Sequence, residues 1–141
     1  MATPIWAGKY IGIPYKVRGR TLDGLDCWGL VCVIARAEQG ITLPSFADRN
    51  AGTATMHNVA KIGQLIKEVI PDWIQVWRGR ERCLDVIVLR LHGHPMHVGV
   101  VLGDGLMLHI DKGIDSCIES YHSTRWKDRI YGFYRHASAG I

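Results

Sequence analysis

Cys27 stands between an acid and a tryptophan in the stretch LDCWGLVCV, and Cys32 follows five positions later among valines. A cysteine attacks carbonyl carbon as the thiolate, which is favoured at a helix N-terminus, where unpaired N–H groups and the helix dipole stabilise negative charge. A cysteine inside an apolar run is a small core residue whose thiol stays protonated. A helix opening at Asp26 puts Cys27 at that end and Cys32 inside. Cys27 is therefore the candidate nucleophile and Cys32 the core residue.

A nucleophile of this kind needs a base, and the base needs an orienting partner. The stretch HVGVVLGDGLMLHI, His97 to Ile110, reads as two apolar strands around a Gly-Asp-Gly hairpin signal. A two-residue turn at Asp104-Gly105 would put His97 and His109 on opposite faces. A three-residue loop, Gly103-Asp104-Gly105 with Gly105 left-handed, pairs Leu102 with Leu106, Val100 with Leu108 and Val98 with Ile110, which makes one uniformly apolar face. The other face then carries His97, Gly99, Val101, Met107, His109 and Asp111. His109 falls opposite Gly99 and diagonal to His97. The predicted chain is Cys27 as nucleophile, His97 as base and His109 as the group that fixes the His97 tautomer through a ring hydrogen bond. The bland alternative is two histidines capping a sheet edge.

The elements that must position these residues follow from periodicity. Leu30, Val31, Ile34 and Ala35 recur at helical spacing from Leu25 to a stop at Gly40, with Asp26 where an N-cap belongs. Residues 1–24 are a Gly- and Pro-rich lead-in, ITLPSFADRNAGTATMH is a loop, and Val59–Val69 is a second amphipathic helix ended by Pro71. The runs WIQVW, LDVIVLRL, HVGVVL, LMLHI and RIYGFYR are strand-like. Helices followed by successive strands predict an α+β fold: an N-terminal helix bearing the nucleophile packs on a mostly antiparallel sheet, in one domain over 1–141.

Composition narrows the function classes. The net charge of +4 and isoelectric point near 9.0 favour an anionic partner weakly, and the basic residues form no run that would suit a nucleic acid. No apolar stretch is long enough to span a membrane. MATPIWAGKYIGIPYK lacks the form of a secretory signal, so synthesis in the cytoplasm with four free thiols is expected.

LDCWGLV followed by HVGVVLGDGLMLH resembles the NlpC-type peptidases, papain-like cysteine endopeptidases of bacteria and phages. The resemblance covers most of the chain, with IPYKVRGRTLDGLDCWGLV leading to the nucleophile and LDVIVLR preceding the histidine, where Leu84 stands at a usual glycine. It implies a papain-like fold, no cofactor, and cleavage of peptidoglycan stem peptides, typically between D-γ-glutamate and a diamino acid. Cys27, His97 and His109 align with its nucleophile, base and third polar residue. Tyr15 aligns with a tyrosine that helps at the oxyanion, and Asp26 with an acid that binds the stem-peptide amine. Trp28 replaces the usual serine and is read as a core aromatic or a substrate platform. DCWGLV with STRWKDRIYGFYRH is similar to the tail-tip peptidases of phages and gene transfer agents, which implies a virion component with tail-tip or baseplate hub partners that acts at the cell wall.

Two other readings compete. LHGHPMHVG places His92, His94 and His97 at metal-ligand spacing, and HGHP is similar to the start of the JAMM-type metalloprotease motif. That motif then needs Ser and Asp, where this chain has Leu102 and Gly105, so no metal is expected. The other reading is a non-catalytic tail-tip adaptor that keeps the fold. His57, His122 and His136 form no constellation, and Cys83 and Cys117 are expected to be core residues.

Overall fold

The structure is a computed structural model that describes residues 3–47, 72–91 and 93–139. The predicted helix at Val59–Val69, His57 and His92 lie outside the described residues. A short 3₁₀ segment, Ile5–Tyr10, leads to a two-stranded hairpin of β1 (Arg20–Thr21) and β2 (Gly24–Leu25), then to α1 (Cys27–Ile34). Six further strands follow: β3 (Trp73–Val76), β4 (Val86–Leu91), β5 (His94–Gly103), β6 (Leu106–Asp111), β7 (Ile114–Ser120) and β8 (Ile130–His136). They form one antiparallel sheet in the order β3-β8-β4-β5-β6-β7. The α+β architecture is the one expected.

Asp26 starts α1. Its backbone is extended, and its carboxylate accepts from the Gly29 N–H at 2.7 Å, which satisfies one of the orphan donors of the first turn. The helix then widens into a π-helical turn, Ala35–Gln39. Gly40 stops it at φ +67°, and the Ile41 N–H returns to the Ala35 carbonyl at 3.1 Å. Leu30, Val31 and Ile34 pack with Val86, Val88, Val98, Val100, Leu108 and Ile110 in one core. The opposite sheet face is covered too. Ile87, Leu89, Val101 and Met107 pack there with Tyr121, Trp126, Ile130 and Phe133. Burial on both faces explains the continuous apolar run VIVL in β4.

The β5–β6 hairpin corrects the predicted turn but keeps the predicted register. Gly103 pairs with Leu106, so the turn is the two-residue Asp104-Gly105, with both residues at positive φ (54° and 77°) as a type I′ turn requires. The register shift between Val101 and Gly103 makes Leu102 a bulge. The extra residue restores the pairing of Val100 with Leu108, and Val98, Val100, Leu102, Leu108 and Ile110 share one core.

Two further positions have tightly set backbone surroundings. A Cβ on Gly29 would lie 2.1 Å from the Gly19 carbonyl oxygen and 2.9 Å from Arg20 Nη1. Gly29→Ala is expected to lower the unfolding free energy by about 2 kcal/mol or more, because a backbone carbonyl cannot step aside as a side chain can. Urea denaturation checks this, and an unchanged midpoint would contradict it. Leu84, at a position where the resembling family usually has glycine, lies at φ +77°, in the left-handed region that favours glycine. Its N–H donates to the Val101 carbonyl at 2.8 Å, and Asp85 beside it is clamped by Arg135 through two 2.7 Å hydrogen bonds.

Candidate active site

Cys27 is the first residue of α1 and is 8% exposed. The backbone N–H groups of Val98, on β5, and of Trp28 favour its thiolate. Those donors are outweighed. Burial first, then the Asp26 charge, push the Cys27 thiol up to about 12. Burial of the start of this helix thus opposes the thiolate that the helix terminus favours.

His97 precedes Val98 on β5, and among the described residues its ring bonds to His109 and not to Cys27. Its ring is buried, and its Nε2 lies 2.8 Å from Nδ1 of the fully buried His109. Nε2 of His109 lies 2.8 Å from Oε1 of Glu119 on β7. Trp126 stacks on His97 at 5.6 Å and 17°, and meets His109 edge-on at 5.7 Å. Arg125 sits over the Trp126 ring at 4.7 Å and reaches Oε2 of Glu119 at 3.6 Å. Burial, with His109 and Arg125 adding to it, pulls His97 down to about 3. Burial also lowers His109, against the opposing pull of Glu119. The resting site therefore holds a neutral thiol and neutral imidazoles. Gly99 leaves room for the pair: a Cβ there would lie 3.2 Å from the His109 Cβ, a tight contact that would press on it.

The three expected binding residues separate. Tyr15 bridges to Leu25, two residues before Cys27. Burial and then the charges of Cys27, Asp26 and Asp111 raise its phenol, which remains a hydrogen-bond donor. Asp26 is already engaged by Arg20 Nη1 at 2.7 Å, by the Arg18 N–H at 3.1 Å and by the Gly29 N–H. It caps the helix and is not a bare carboxylate awaiting an amine. Trp28 is 4% exposed, donates from Nε1 to the Pro44 carbonyl at 2.8 Å and stacks on Phe46 at 5.8 Å. It therefore lies in the core, as an element that pins the segment after the helix, and is not on an open substrate surface.

Cys32 is half-buried, with its sulfur 3.8 Å from the Pro44 carbonyl, and burial pushes its thiol up to about 12. Cys83, expected in the core, is exposed, and Cys117 is half-buried.

Sequence reasoning missed β7, and with it Glu119. IDSCIES has few large apolar residues because β7 is an edge strand, but Lys112-Gly113 after LMLHID was a hairpin signal: Asp111 pairs with Ile114, and Gly113 has φ +88°. Trp126 was missed because the loop before β8 had no visible period. Asp111 was placed on the histidine face but given no role, and its charge acts on Cys27, Tyr15 and His109.

Donor atoms of His109, Cys117 and Glu119 lie within 4.8 Å of one another, the closest approach to a metal-ligand set among the described residues. The Arg125 guanidinium beside Glu119 places a cation where an ion would need room, so the set is better described as hydrogen-bonded.

If His97 is the base and His109 its support, the two alanine variants differ in degree. His97→Ala is expected to lower kcat by about 10²–10⁴-fold, the range for a general base. His109→Ala is expected to cost less, about tenfold to a hundredfold, as an outer partner of a working histidine does. Steady-state kinetics on a stem-peptide substrate reads both, and a larger loss from His109→Ala would reverse the assignment.

Residues 12–135 match the NlpC/P60 family. Over 118 residues the chain is 24% identical to "Murein DD-endopeptidase MepS/Murein LD-carboxypeptidase" of Escherichia coli K12, covering 84% of this chain and 53% of that protein. The chain thus spans about half the length of the curated relatives it matches. Among solved structures, an NlpC/P60 family protein from Bacillus cereus superposes with a TM-score of 0.66 at 23% identity, covering 96% of this chain and 41% of that one. The NlpC/P60 domain of the peptidoglycan hydrolase SagA superposes with a TM-score of 0.59 at 21% identity, covering 92% of each.

Proposed function

This chain belongs to the NlpC/P60 family, and from that premise we propose that it is a cysteine endopeptidase that hydrolyses an amide in the stem peptides of peptidoglycan, at a D-γ-glutamyl–diamino acid bond. The observation that carries the reading is the 2.8 Å contact of two buried histidine rings, one of them adjacent to the residue whose N–H meets the Cys27 sulfur. Two relatives point to the substrate class by name, one as a murein endopeptidase and one as a peptidoglycan hydrolase.

In the proposed mechanism, His97 takes the Cys27 proton as the sulfur attacks the amide carbon, so that charge is created only with bond formation. This ordering suits a thiol raised and an imidazole lowered by burial. The oxyanion is held by the Cys27 backbone N–H, which has no partner within the helix, and by the Tyr15 hydroxyl. His97 returns the proton to the leaving amine, and water, deprotonated by His97, then releases the acyl group and restores the thiol. Mass spectrometry of muropeptides after digestion with wild type and with Cys27→Ala tests the reading. Products unique to the wild type support it, and their absence overturns it.

The burial of both Cys27 and His97 favours a second reading, a non-catalytic adaptor. Iodoacetamide modification of Cys27 that is accelerated by His97 argues for the enzyme. An inert Cys27 in a chain that cleaves nothing argues for the adaptor.

The proposal extends to delivery by a phage-like tail tip with hub or baseplate proteins as partners, on the strength of DCWGLV and STRWKDRIYGFYRH. Both blocks also serve the fold, through Trp28 under Pro44 and Trp126 over His97. Antibody against this chain that decorates the tail tips of purified particles would support delivery, and unlabelled particles would remove it.

A further inference from the structure

We propose that Glu119 is a positioning residue that sets the tautomers of both His109 and His97 and so leaves His97 Nδ1 as the one ring nitrogen free to take a proton. The inference rests on the peptidase reading above for its consequence, but not for its geometry.

A carboxylate has acceptors and no donor. Oε1 of Glu119 is 2.8 Å from Nε2 of His109, so that nitrogen carries the hydrogen. A neutral imidazole has one N–H. His109 Nδ1 is therefore a bare acceptor, and the atom facing it at 2.8 Å, Nε2 of His97, must donate. His97 Nδ1 is then left without a hydrogen. The polarity of the whole chain is thus dictated from its far end, two strands away from the nucleophile's helix. Reversing it would put the hydrogen on His97 Nδ1 and leave that nitrogen unable to accept a proton.

Register and neighbours bring Glu119 to this place. Glu119 pairs with Met107, and His109 pairs with Cys117, so the carboxylate is diagonal to the imidazole on one sheet face. The groups that face His109 are Glu119 and Cys117 from β7, Asp111 on its own strand, and Arg125 and Trp126 from the segment before β8. Cys117 Sγ, at 3.8 Å from Nε2, can both donate and accept and so imposes no direction. Arg125 occupies the other carboxylate oxygen at 3.6 Å, which leaves Oε1 for the ring. When the Cys27 proton arrives at His97 Nδ1, the cationic ring pair ends on one carboxylate.

The test begins with the wild-type protein. Nitrogen-15 NMR of labelled histidines is expected to show both buried rings protonated at Nε2, and a ring protonated at Nδ1 overturns the proposal. Glu119→Gln keeps the shape, but its amide can donate or accept, so His109 is expected to lose its single tautomer. In kinetics the same variant is expected to lose about 10- to 100-fold in kcat with KM little changed, while Cys117→Ala retains the wild-type kcat. Wild-type tautomers and kcat in Glu119→Gln would overturn the proposal. If the wild type cleaves no stem peptide, the peptidase reading fails, while the NMR result still decides the role of Glu119.

Discussion

Cys27→Ala is expected to bring stem-peptide hydrolysis to the detection limit, with an intrinsic loss of about 10⁶ in kcat for a removed nucleophile, while Cys32→Ala stays within about twofold of wild type, the range of an ordinary substitution that touches no reacting atom. Both cysteines sit on α1, and burial pushes both thiols up to about 12. A raised thiol therefore does not distinguish them; their neighbours do. The Val98 and Trp28 N–H groups favour the Cys27 thiolate, whereas the Cys32 sulfur lies 3.8 Å from the Pro44 carbonyl. A carbonyl next to sulfur would disfavour a thiolate. Thermal melts of the two variants should separate lost chemistry from lost folding. Equal loss of activity from both, with both folded, would sink the distinction.

Acidification is expected to destabilise the protein between about pH 6.5 and pH 3, and His97→Asn is expected to weaken that dependence. His97 is held at about 3 in the folded protein, against 6.5 for an ordinary histidine. Within that window the unfolded chain binds a proton that the folded chain does not. Stability therefore rises with pH there and falls on acidification, with a slope approaching about 1.4 kcal/mol per pH unit for one such group. Above pH 6.5 both states are neutral at His97, and the slope from this residue vanishes. His109 acts in the same direction through its own burial. Carboxylates add to the acid sensitivity, but they are common to wild type and variant, so the difference between the two isolates His97. Urea denaturation of both at pH 7 and pH 4.5 measures it. Parallel losses in wild type and His97→Asn would show that His97 accepts a proton in the folded state and that its burial is not as tight as the structure has it.

The β5–β6 hairpin shows how much of this site could be read in advance. Alternation along VGVVL and LMLHI required one apolar face, and that requirement alone paired Val100 with Leu108 and placed His97 beside His109. The turn was misassigned because an Asp-Gly type I′ turn with a bulge at Leu102 offsets the strands as the three-residue loop would. The pattern constrains the register, and several turns satisfy it. Glu119 and Trp126 escaped for a different reason. An edge strand and an irregular loop carry no period, so nothing local announces that they close over the histidines.

Residue types and spacing by themselves determined the α+β class, the Asp26 cap, the stop at Gly40 and the shared face of the two histidines. These follow from backbone periodicity and from which side chains must leave water. Only the tertiary structure decided the burial of Cys27 and the two histidines, the commitment of Asp26 to Arg20, the core placement of Trp28 and the contact of Glu119 with His109. Each of these depends on what else is packed within a few ångströms, because desolvation and ion pairing are set by neighbours distant in the chain.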